Sequence, residues 1–181
     1  MKRSIVVLIS LLILTAAVSV RAQVSESATG RRLKIYAGGE GSVFQPDYAG
    51  QGIAQTSPKR LYGIGAYVDA DFSRWLGIEA EGRWLHWNQY AGITENTYMI
   101  GPRVPIIEYK RLTPYGKFLF GMGSGSFLSG RTTAYAYGGG VDYRLGKKFS
   151  VRLFDMEFQS WRVTPTLHPY GGSVGVSYRI F

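Results

Sequence analysis

The sequence predicts an all-β chain, an eight-stranded antiparallel up-and-down β-barrel that crosses a membrane. Three observations carry this. Segments of alternating polarity recur, each long enough for the roughly 9–11 residues that a tilted strand needs to cross a bilayer. The connections between them alternate short and long, as hairpins do at the two ends of a membrane barrel. The last segment alternates up to Phe181, with Val174, Val176, Tyr178 and Ile180 on one face. Lipid offers no hydrogen-bond partner to an open sheet edge, so such a strand is expected to close against the first.

The chain begins with Lys2 and Arg3, followed by an apolar run from Ile5 to Val18 and small residues around Val20-Arg21-Ala22. This is the pattern of a secretory signal, with cleavage expected after Ala22. The run falls short of the roughly 20 residues of a spanning helix. The expected organisation is a leader over 1–22 and one barrel domain over 23–181. There are 24 glycines and no cysteines, so neither a disulfide nor a thiolate metal site can form. The net charge of +9 falls once Lys2, Arg3 and Arg21 leave with the leader. The remaining basic residues are scattered rather than gathered on a stacking face, which argues against nucleic acid. Anionic lipid headgroups are a more natural use for them.

The segments read in order. In Arg32–Phe44, Leu33, Ile35, Ala37 and Val43 share one face, and Lys34, Tyr36, Glu40 and Ser42 the other. A long polar connection, 45–59, follows. In Arg60–Asp71, Tyr62, Ile64 and Val68 oppose Tyr67, Asp69 and Asp71. In Trp75–Trp87, Leu76, Ile78 and Trp84 oppose Glu79, Glu81 and Arg83. Thr94–Tyr109 carries Tyr98, Ile100, Val104 and Ile106 on its apolar face. Its Pro102 and Pro105 each remove a ladder donor, so a bulge is expected there. In Pro114–Ser124, Phe118, Phe120 and Met122 face away from Lys117. In Thr132–Arg144, Tyr135, Tyr137, Val141 and Tyr143 oppose Asp142 and Arg144. Phe149–Gln159 starts with Phe149, Val151 and Leu153 outward, and then Asp155 and Glu157 would follow them. A bulge near Phe154, or a rise above the lipid, would repair this phase. Gly172–Phe181 is the eighth segment.

Alternation alone does not say which face is inside. The charged face is rich in Gly and Ala, which suits a crowded lumen. The other face is aromatic and aliphatic throughout. That argues for lipid outside rather than for a soluble ligand-binding barrel. Trp75, Tyr143 and Phe149 are then expected in one aromatic belt, and Trp84, Trp87, Tyr98 and Trp161 in the other. Lys34, Glu40, Asp69, Asp71, Glu79, Glu81, Arg83, Arg103, Lys117, Asp142, Arg144 and Arg152 are expected to project into the lumen. An eight-stranded barrel is just wide enough for its own side chains, so these charges must pair.

Three internal stretches strengthen the reading: Asp71–Ala80 (DFSRWLGIEA), Leu112–Gly121 (LTPYGKFLFG) and Gly138–Leu145 (GGGVDYRL). Together with the signal segment and the aromatic final strand, the chain resembles the small outer-membrane β-barrels of Gram-negative-type bacteria, the OmpA/OmpX-like and opacity-like group. The resemblance implies an outer-membrane location among lipid and lipopolysaccharide. It implies a closing strand read as a sorting signal by the outer-membrane assembly machinery, with Tyr178, Ile180 and Phe181 as its residues. The apolar face ends on Ile180, one residue before Phe181.

Function divides three ways. A structural or surface-interaction barrel would use its long loops, because a rigid scaffold positions them for contact with an extracellular ligand or a cell. A narrow ion channel would use the lumen. A lipid A-modifying enzyme would need a nucleophile beside a histidine base. His86 and His168 have no serine at a recognisable spacing, so a non-catalytic role without metal or cofactor is expected.

Overall fold

The computed structural model describes residues 33–53 and 59–181; the expected leader, 1–22, lies outside them. Eight strands follow in order: β1 (Lys34–Gln45), β2 (Leu61–Asp71), β3 (Gly77–Trp87), β4 (Glu95–Pro105), β5 (Leu112–Gly125), β6 (Arg131–Arg144), β7 (Phe149–Trp161) and β8 (Tyr170–Arg179). Each pairs antiparallel with its neighbours, and β1 pairs with β8, so the sheet is a closed barrel. The closing register runs from Tyr36 opposite Arg179 to Gln45 opposite Tyr170. Beyond it, Ile35 N–H donates to the Phe181 carbonyl and Ile180 N–H donates to the Ile35 carbonyl, at 3.1 and 2.8 Å. Closure satisfies the two edges that lipid would leave unpaired.

The barrel is inside-out relative to a soluble one. Ile64, Val68, Ile100, Phe118, Phe120, Val174 and Val176 are all exposed on its outer wall. Glu79, Arg83, Arg152 and Glu157 are almost fully buried inside. The phase read from each segment through β6 matches this division.

Two irregularities were expected, one at the β4 prolines and one in β7. The first is absent. Along β3–β4 the register is unbroken from Gly77 opposite Arg103 to Leu85 opposite Glu95. On the β5 side the pairs Ile100–Phe120 and Arg103–Lys117 keep one register across a gap in the pairing. The missing donor of Pro102 falls in that gap, so the strand accommodates the proline without inserting a residue. Pro105 ends the strand.

The second is present. Between Arg152 and Asp155 the β8 register shifts by one residue, and β6–β7 shifts at the same place. Leu153 and Phe154 both face outward, 45% and 49% exposed, and Asp155 turns inward at 1%. A bulge places two residues opposite one and so inverts the phase beyond it.

The lumen has an apolar zone that the sequence reading did not anticipate. Towards the long loops, Phe44, Leu61, Leu85 and Ile93 pack with Tyr48, and Met99, Leu119, Ala134, Ala136 and Leu167 pack around Trp161. Trp161 is therefore not a belt residue. It is fully buried, its indole N–H donates to Gln159 at 2.7 Å, and Phe127 stacks on it. Tyr90 is partly buried and meets Tyr48 edge to face. Trp75, Trp87, Tyr98 and Phe149 are exposed on the wall; Trp84 and Tyr143 are half-exposed. The Trp84 indole donates to the Tyr98 hydroxyl at 2.8 Å.

Lumen glycines make room for this filling. A Cβ on Gly38 would lie 2.5 Å from the Tyr67 ring, and one on Gly123 would lie 2.9 Å from the Trp161 indole. Gly38→Leu is expected to displace Tyr67 and destabilise the barrel by about 1–3 kcal/mol, as overpacking does. Urea unfolding in lipid vesicles followed by tryptophan fluorescence would read it. An unchanged midpoint would show that the lumen has slack at Tyr67.

Candidate functional site

The mid-lumen brings charges together from seven strands. On β3, Glu79, Glu81 and Arg83 alternate inward because the strand period is two. Arg103 arrives from β4, Lys117 from β5, Asp142 from β6, and Glu40, Asp69 and Asp71 from β1 and β2. The β7 bulge adds Asp155 and Glu157 beside Arg152.

Four cations organise these groups. Lys117 Nζ lies 2.9 Å from Glu79, 3.0 Å from Glu81, 2.7 Å from Asp155 and 3.1 Å from Glu157. Arg152 reaches Asp69 at 3.1 Å, Glu79 at 3.0 Å and Asp155 at 3.2 Å. Arg83 bridges Glu40 at 3.2 Å, Glu81 at 3.1 Å and Glu157 at 3.0 Å. Arg103 joins Asp71 at 3.3 Å, Glu79 at 3.4 Å and also Asp142.

Aromatic faces complete the packing. The Arg152 guanidinium lies 3.7 Å from the Tyr67 ring centroid, Arg103 4.0 Å from that of Tyr115, and Arg83 4.4 Å from that of Phe44. The Tyr115 hydroxyl donates to Asp155 at 3.0 Å. A guanidinium is planar and weakly hydrated, so it can stack on a ring and serve carboxylates at its edge.

Glu79, Glu81 and Asp155 offer oxygens within 4.8 Å of one another, a spacing that would suit a cation. The Lys117 ammonium sits among those oxygens and supplies the positive charge itself. The arrangement neutralises buried charge and fills space.

The structure places two of the expected lumen charges elsewhere. Lys34 opens β1 and Arg144 ends β6, so both stand at the short-turn mouth, outside the packed network. Arg144 pairs there with Glu108, both partly exposed. Asp155, Glu157, Tyr67 and Tyr115 join the network although the sequence reading did not include them in it. The visible signal for the two acids was the adjacent apolar pair Leu153-Phe154, followed by carboxylates at positions that would otherwise face lipid.

The histidines stand apart from the network. His86 Nε2 lies 2.7 Å from Asn96 Oδ1 at an exposed position. His168 is exposed in the last loop, and its backbone N–H donates to Asp47 at 3.0 Å. At the final strand, Tyr178, Ile180 and Phe181 are exposed on the outer wall, with Tyr178 edge to face against Phe149 at 5.1 Å.

Comparison with known proteins agrees with this architecture. A family model described as "Outer membrane protein beta-barrel domain" matches residues 10–179. No curated protein matches the chain. Among solved structures, Ail of Yersinia pestis, in complex with the heparin analogue sucrose octasulfate, is 17% identical with a TM-score of 0.50, covering 82% of this chain and 97% of its own. Neisserial surface protein A is 12% identical with a TM-score of 0.52, covering 81% and 97%. OprG of Pseudomonas aeruginosa is 13% identical with a TM-score of 0.51, covering 82% and 95%. At these identities the likeness concerns the fold. With a family model spanning nearly its whole length and a closed barrel whose apolar wall faces outward, the chain belongs to the outer-membrane β-barrel domain family and is a small integral protein of the outer membrane.

Proposed function

We propose that this barrel is a non-conducting, non-enzymatic scaffold that displays its long loops at the cell surface. The observation that supports this most is the filling of the lumen in two tiers. The shared ion network occupies the middle, and the apolar cluster around Phe44, Leu61, Leu85 and Trp161 closes the loop end. An ion crossing it would have to break several buried pairs and then displace the packed, mostly apolar cluster, which is expensive. Single-channel recording in planar bilayers is expected to show no discrete conductance steps. Regular steps in purified, folded protein would replace this reading with the channel.

The loops would carry the contact function. Their described ends expose Lys59, Arg60, Arg131 and Arg162, so the outer surface favours an anionic over a cationic partner. Retention on immobilised heparin, reversed by moderate salt and weakened by Arg131→Gln with Arg162→Gln, is the expected result. Equal retention of the double variant would remove the loops from this role. The terminal Tyr178, Ile180 and Phe181 are assigned to sorting by the assembly machinery. Phe181→Ala is expected to lower the amount of folded barrel in the outer membrane without changing the stability of the barrel that does insert.

A further inference from the structure

At the short-turn end the barrel opens into a cleft of roughly 480 Å³ lined by Lys34, Tyr36, Arg111, Arg144, Lys147 and Arg179. These residues come from the start of β1, the ends of β6 and β8, and the β4–β5 and β6–β7 turns. The chain thus gathers distant cations into one concave mouth. Only one ion pair engages them among the described residues, Arg144 with the partly exposed Glu108. An exposed pair of this kind holds its partner weakly. Arg179 gives its Nε hydrogen to the Phe181 carbonyl at 2.9 Å, which leaves its terminal nitrogens to other acceptors. The acids nearest the floor are already served, since Arg103 bonds Asp71 and Asp142. Like-charged side chains around a pocket repel one another, and a multivalent anion relieves that repulsion.

We propose that this mouth is a binding site for a phosphate-bearing anion reached from the periplasmic side. Arginine forks and lysine ammonium groups suit phosphate oxygens, and Tyr36 adds a hydroxyl donor. The phosphate could belong to a lipid headgroup of the inner leaflet or to a free solute. This site lies at the opposite end from the displayed loops and does not depend on their role.

The test uses protein extracted from the outer membrane and purified in dodecyl maltoside, titrated with tripolyphosphate by calorimetry at about 0.1 M salt. Saturable one-to-one binding is expected. Arg144→Gln with Lys147→Gln should weaken it about ten-fold, as loss of two charge-assisted contacts would. Arg74→Gln, an exposed cation of the β2–β3 turn that does not line the cleft, should leave it unchanged. If the mouth double variant fails to fold, Lys147→Gln alone should weaken binding about three-fold, since this exposed turn lysine makes no ion pair among the described residues. Repeating the titration in phosphatidylglycerol nanodiscs separates the sources. Competition there, absent in phosphatidylcholine, identifies a headgroup; unchanged affinity identifies a free phosphate. No saturable binding, or binding indifferent to the mouth substitutions, overturns the proposal.

Discussion

Lys117→Met is expected to destabilise the barrel by about 3–5 kcal/mol, enough to abolish folding in a marginal lipid environment. The side chains are similar in length, so the change removes charge with little change in volume. Four carboxylates, those of Glu79, Glu81, Asp155 and Glu157, now crowd the ammonium within 3.1 Å. Without it they would face one another in a nearly dry interior. Removing one partner of a buried pair is costly because it leaves uncompensated charge, not because the pair itself contributes much net stability. A specific compensation follows. Glu81→Gln in the Lys117→Met background should recover about 1–2 kcal/mol, since one of the repelling charges is gone and groups in one network are coupled. Glu81→Gln alone should destabilise, because it disturbs the bonds to both Lys117 and Arg83. Urea titration in vesicles, with gel mobility before and after boiling as the folding control, measures all three. Native stability for Lys117→Met would mean that water reaches the network, and the conductance reading would then regain ground.

The same network explains why most of this fold was legible in the sequence. Alternation has a period of two, and one face of each strand carried charge beside Gly and Ala while the other carried rings and aliphatics. Lipid outside and a narrow lumen inside require that division. The filling was less legible. Leu61, Leu85 and Leu119 occupy lumen positions by phase, but an apolar residue inside a membrane barrel looks like noise until its neighbours around the barrel are known. Trp161 misled for the same reason: a tryptophan near a strand end resembles a belt residue, and only Gly123, two strands away on the inner wall, reveals the space it fills. Pro102 misled in the other direction, because loss of a ladder donor can be met by a gap in pairing as well as by a bulge. Lys34 and Arg144 have the correct phase for the lumen but stand beyond its packed length, and phase does not report depth.

Deleting Met156 is expected to prevent folding altogether, whereas deleting Leu153, or Leu153→Ala, should be mild. The bulge spends one extra residue so that Leu153 and Phe154 both face lipid while Asp155 and Glu157 turn inward. Without Leu153 the strand alternates plainly from Arg152 through Phe154 to Asp155, so both acids still turn inward and the pairing with β6 and β8 becomes regular. Without Met156 two courses are open to β7. If the strand keeps its bulge, Glu157 points into the hydrocarbon, and a charged side chain there costs up to about 2–4 kcal/mol, with acids towards the lower end. Lys117 and Arg83 both lose that carboxylate. If the strand drops the bulge, Asp155 faces lipid instead and Phe154 turns into the lumen. That withdraws a carboxylate from Lys117 and Arg152. Either course combines a lipid-exposed charge with an opened network, a loss comparable to the stability of an ordinary domain. Leu153→Ala keeps the extra residue and gives up only part of one lipid-facing side chain, so it should cost about 1 kcal/mol or less. Gel mobility before and after boiling, with circular dichroism in detergent, distinguishes the outcomes. A folded Met156 deletion would show that β7 can supply the phase elsewhere, and an unfolded Leu153 deletion would show that the bulge does more than set phase.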